Sequence, residues 1–157
     1  MSAPLSVPVR SRAPRHLTER ERRTLAAVAD SLVPPTAASP APSSEPDFWD
    51  KVDVALDARA EAFALITESL AALAEIPADA LLTTLEELAG AAPAAFQALS
   101  TVVAGAWLLT AATRDRIGYH GPRPDRAGVE EAADEISDGI LDPVLARYDH
   151  HSPRWVR

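Results

Sequence analysis

Apolar residues recur at three- and four-residue spacing along most of this chain, the signature of helices that bury one face. The first set is Leu25, Val28, Ala29 and Leu32. Thr18 and Glu21 precede it as a capping box, in which the hydroxyl accepts from the N–H three residues on and the carboxylate reaches back to the cap. Pro34 and Pro35 end that helix, and the Pro- and Ser-rich span 34–46 reads as a loop without regular structure. The next set, Phe48, Trp49, Val52, Ala55 and Leu56, follows Asp47, a residue type suited to cap the helix. Phe63, Ile66, Leu70 and Leu73 form a third face, broken at Pro77. A fourth helix over 79–89 carries Leu81, Leu82, Leu85 and Leu88, with Gly90 as its expected left-handed stop.

Pro93 suits a first helical turn, and from it the pattern predicts one long helix over 93–116. Phe96, Leu99, Val103, Ala106 and Thr110 share a face, which Val102, Leu108 and Leu109 widen until nearly the whole circumference is apolar. Such a helix belongs in the middle of a bundle, and Gly105 with its neighbouring alanines lets other helices approach. It runs into a loop in which Gly118 and Gly121 bracket Tyr119 and His120, with Pro122 and Pro124 behind. Residues 129–140 and 141–148 predict one or two shorter helices. With no convincing strand and no repeat, the expectation is an all-α, single-domain bundle of about six helices around a central apolar helix. It spans 17–148, between a flexible basic arm over 1–16 and a tail over 149–157.

Composition narrows the functions open to such a bundle. At 157 residues and 47% apolar content the chain builds one core of ordinary size. It has no cysteine, which excludes disulfides, thiolate zinc sites, cysteine-ligated iron–sulfur clusters and a cysteine nucleophile. The net charge of −8 is unevenly spread: six arginines and two glutamates fall within residues 1–23, and Arg154 and Arg157 lie at the other end. The acidic middle repels phosphate, so nucleic-acid binding is not expected. No segment reaches the roughly 18 apolar residues of a membrane span. The first residues lack a charged start followed by an apolar run, and Arg22-Arg23 has no apolar export region behind it, so neither a signal peptide nor a twin-arginine signal is read and a cytoplasmic location is expected.

Catalytic signatures are missing. His16, His120, His150 and His151 offer no frame for three or four converging metal ligands. Asp47, Asp50, Asp53, Asp57 and Glu61 fall on one outward stripe and read as a solvated face. No Glu-x-x-His pair, phosphate loop, Gly-x-Ser-x-Gly elbow or Gly-x-Gly-x-x-Gly fingerprint occurs. The expectation is a chain with no catalytic, cofactor-binding or metal-binding residue. Trp107 reads as core. What remains is the charged end of the most apolar helix. Arg114 and Arg116 there complement the helix dipole, or, with Arg123, form a cationic patch around Tyr119 and His120 that meets another protein, since Tyr and Arg are enriched at binding hot spots.

The order of these features resembles the gluconate 2-dehydrogenase subunit 3 family. The resemblance is carried by Leu17-Thr18-Glu19-Arg20-Glu21 opening a helix that closes in Ala29-Asp30-Ser31-Leu32-Val33-Pro34, by Phe48 to Leu56, and by Phe96 onward into Arg116-Ile117-Gly118-Tyr119-His120-Gly121. It covers about residues 17 to 125. It implies a non-catalytic small subunit that accompanies a large flavin-dependent oxidoreductase of the glucose-methanol-choline type and supports its folding, maturation or export. FAD then sits on the partner, which oxidises a sugar or an alcohol. Two alternatives stay open: a small metal- or ligand-binding bundle with its own activity through Tyr119, His120 and the terminal histidines, and a partner-binding scaffold unrelated to flavoenzymes.

Overall fold

The computed structural model describes residues 12–119, together with 121, 137, 139 and 142. Most of the expected arm, His120, Arg123, nearly all of the helices expected over 129–140 and 141–148 and the tail with His150 and His151 lie outside the described residues. The chain divides into two compact units, Met1–Tyr119 and His120–Arg157; the fold described below is that of the first. It is all α: α1 (Glu19–Leu32), α2 (Phe48–Ala58), α3 (Phe63–Leu73), α4 (Ala78–Ala91), α5 (Pro93–Leu109) and α6 (Ala111–Arg116), with no strand among the described residues.

Each helix begins and ends for local reasons. The capping box at the start of α1 is formed: the Thr18 hydroxyl accepts from the Glu21 N–H at 3.3 Å, and the Glu21 carboxylate accepts from the Thr18 N–H at 2.7 Å. α1 stops at Leu32, two residues before Pro34, whose ring disfavours helical backbone at Val33. Gly90 is not the expected stop. It lies inside α4, and its φ is not positive; the helix ends because Pro93 forces Ala92 out of helical geometry, to φ −140° and ψ 68°.

The predicted faces pack as one core. Leu25, Val28, Phe48, Val52, Leu56, Ile66, Leu70, Leu85, Leu99, Val102 and Val103 are essentially without solvent contact. α5 is the central element, lying most extensively on α2 and then on α4, α3 and α1. Truncating one such residue, Leu99→Ala, would cost about 2–5 kcal/mol. Gly105 is where α2 comes near, and a Cβ there would meet the Ala55 Cβ at 3.9 Å, ordinary contact. Encirclement is incomplete, because Leu108 and Leu109 in the last turn of α5 are 45% and 41% exposed. Leu82 on α4, expected in the core, is also exposed.

Three expectations change with the tertiary structure. The long helix over 93–116 is two helices, broken at Thr110, whose backbone is extended at φ −62° and ψ 144°. The span 34–46 is not structureless: Pro42–Ser44 form a 3-10 turn, held where Ser43 donates its N–H and hydroxyl to the Asp30 carboxylate at 3.0 and 2.6 Å. The end of the arm is tied down as well. The Ala13 N–H donates to Asp57 at 2.9 Å, His16 lies 3.5 Å from Asp53, and the Arg15 guanidinium grips Glu21 with two bonds of 2.7 Å. The acidic stripe of α2 is therefore only partly solvated, since Asp53 and Asp57 face the arm.

Candidate functional site

The site expected around Tyr119 is built from the break at Thr110 onward. With α5 ended there, the Thr110 hydroxyl donates to the Trp107 carbonyl at 2.8 Å and accepts from the Thr113 N–H at 3.4 Å, capping α6. Asp47, the expected cap of α2, makes no side-chain cap on that helix; its carboxylate instead accepts from the Ala111 N–H at 3.1 Å. Two orphan donors at the start of α6 are thus satisfied, one by the chain's own hydroxyl and one from the start of α2. A partner carboxylate 64 residues away in sequence leaves no local signature, and this is why the break escapes periodicity.

The end of α6 is a Schellman motif. The Tyr119 N–H donates to the Arg114 carbonyl at 2.9 Å and the Gly118 N–H to the Asp115 carbonyl at 3.1 Å, with Gly118 at φ +67°. A residue with a Cβ pays about 1–2 kcal/mol in that left-handed conformation. Gly121 also has positive φ, 93°, so both glycines of the loop take backbone that other residues rarely adopt. The motif sets Tyr119 back over the last turn, where the Arg114 guanidinium lies 5.5 Å from its ring centroid. That is cation–π range. The ring stays half exposed, at 50%, and its neighbour Ile117 is 59% exposed.

Arg116 does something different from what its place in a cationic patch implied. It forms an ion pair with Glu45 and donates to the Thr113 hydroxyl at 2.8 Å. Glu45 is only 4% exposed, so Arg116 neutralises a buried carboxylate and ties the 34–46 span to α6. Glu45 is the residue that reading the sequence missed; an acid in a proline-rich loop carries no mark of burial. Of the five residues expected at this site, Arg114 and Tyr119 act together, Arg116 faces inward, and His120 and Arg123 lie outside the described residues. Trp107, on the preceding helix, packs partly buried against the core with its indole N–H enclosed and without an acceptor among the described residues.

Charge is handled differently at the start of α1. The Glu21 carboxyl is held down at about 2, chiefly by the Arg15 fork and further by the backbone and hydroxyl of Thr18. Arg15 also lies 5.2 Å over the Phe63 ring, and Arg22 lies 4.4 Å over Trp49. The described arginines near the start of α1 are thus mostly engaged with this chain itself. Among the described residues no three His, Cys, Asp or Glu side chains converge on a point that could hold a metal ion, and no helix is long and apolar enough to cross a membrane. Compared with family models, curated proteins and solved structures, the chain finds no match.

Proposed function

We propose that this chain is a non-catalytic small subunit that binds a large FAD-dependent oxidoreductase of the glucose-methanol-choline type and supports its folding or maturation. The partner carries the flavin and oxidises a sugar or an alcohol. The sequence order and spacing of the motifs between residues 17 and 125 support this reading. The observation that carries it is Tyr119, an aromatic side chain fixed by a helix cap and an arginine stack, yet left half exposed. A rigid aromatic at the surface is the residue type that dominates binding energy, and its prior ordering lowers the entropy cost of association. Exposed Ile117, Leu108 and Leu109 belong to the same 12-residue stretch and add apolar surface.

Coexpression with a glucose-methanol-choline dehydrogenase from the same genome tests it. The expected result is a complex that copurifies, a higher yield of flavin-loaded large subunit, and loss of both with Tyr119→Ala. A chain that emerges alone and leaves the yield and flavin content of the enzyme unchanged overturns the reading.

A further inference from the structure

A second surface, independent of the flavoenzyme reading, lies between α3 and α4. It is an open groove of about 450 Å³ whose apolar lining includes Leu65, Ala72, Leu88 and Ala91, with Glu68 and Glu87 also lining it. Its two hydroxyl residues present little polar demand, because Ser69 donates to the Leu65 carbonyl at 2.7 Å and Thr84 to the Ala80 carbonyl at 3.0 Å within their own helices. Leu65 remains 36% exposed.

The described charged residues that line this groove, Glu68 and Glu87, have one sign. Residues 60–113 contain no Lys or Arg, against Glu61, Glu68, Glu75, Asp79, Glu86 and Glu87. Glu61 meets Arg59 and Glu75 meets Arg20, whereas Glu68 and Glu87 have no ion-pair partner among the described residues. An apolar trough flanked by unpaired carboxylates favours an occupant with an apolar stripe and basic edges. A second copy docking the same face would bring like charge against like, and phosphate-bearing ligands are repelled. A polyproline segment needs an aromatic-lined groove, and this one has no aromatic residue among its described lining residues.

We propose that the α3–α4 groove docks a basic amphipathic helix of another protein, its apolar residues at three- and four-residue spacing entering the groove and its Lys or Arg residues meeting Glu68 and Glu87. The probe is a fluorescein-labelled Leu/Lys peptide of about four helical turns, compared with a scramble of the same composition, by fluorescence anisotropy on the isolated full chain. The periodic peptide binds at least about tenfold more tightly than the scramble. Glu68→Lys with Glu87→Lys weakens it at least about tenfold, and Leu65→Gln several-fold. Glu61→Lys with Asp79→Lys, which reverses the same charge outside the groove, changes it less than about threefold. Tyr119→Ala leaves it unchanged, which separates this surface from the proposed flavoenzyme contact. Equal binding of the scramble, equal loss from Glu61→Lys with Asp79→Lys, or self-association of the chain that Leu65→Gln abolishes would each overturn the proposal.

Discussion

The start of α1 and the end of α6 are both helix termini with well-formed caps, and they use their side chains in opposite ways. At Thr18 the cap closes inward: Glu21 serves the backbone, Arg15 serves Glu21, and the Arg15 guanidinium also covers Phe63. At Gly118 the cap opens outward, because the carbonyls of α6 are satisfied by backbone alone and the ring of Tyr119 is left half exposed over Arg114. A helix end that consumes its side chains stabilises the fold. One that is satisfied by main chain frees a side chain for something else, and that difference is why the proposed contact is Tyr119 rather than Thr18.

Breaking the ion pair beneath the outward end has the largest expected effect. Arg116→Leu strands a buried Glu45 carboxylate, and chemical denaturation should show a loss of about 3 kcal/mol, partly recovered when Glu45→Leu is added. Gly118→Ala forces a Cβ into left-handed backbone and should cost about 1–2 kcal/mol. At the inward end, Thr18→Ala removes a hydroxyl cap and should cost about 1 kcal/mol.

A smaller effect separates the two ends by pH. Glu21 is shifted from 4.5 to about 2 in the folded chain, so its contribution is complete above 4.5 and disappears as pH falls through about 2. Arg15→Gln should flatten the pH dependence of stability within that window and leave it unchanged near neutrality in shape; an unaltered acid limb would mean that the fork does not hold the carboxylate. The smallest stability change belongs to Tyr119→Ala, below about 0.5 kcal/mol as for an ordinary surface substitution. Its effect should appear in complex formation instead. A large loss of stability from this substitution, with the complex intact, would reverse the comparison.

Local chemistry is legible in the sequence alone. The capping box, the spacing of Phe63, Ile66, Leu70 and Leu73, and the special role of Gly118 all depend on residues within a few positions of one another, and periodicity or turn chemistry reports them directly. The break at Thr110 was not, since an apolar stripe continues through it and the Asp47 carboxylate that favours it comes from another helix. Gly90 misled for a related reason: glycine permits a left-handed stop but does not require one, and Pro93 acts first. The Glu45–Arg116 pair joins positions 71 apart, so nothing in either neighbourhood announces it. The Tyr119 site was thus half visible: its position was marked by glycines, whereas the inward turn of Arg116 was set by long-range packing.

The absence of Lys and Arg from residues 60–113 also decides how the protein will look to reagents. Trypsin has no cleavage point between Arg59 and Arg114, so α3, α4 and α5 leave a digest as one 55-residue peptide even from unfolded chain. The single lysine, Lys51, lies on α2. Amine-directed cross-linkers and acetylating enzymes therefore find no side chain to modify on the acidic face, and mapping a partner there calls for carboxylate-directed chemistry.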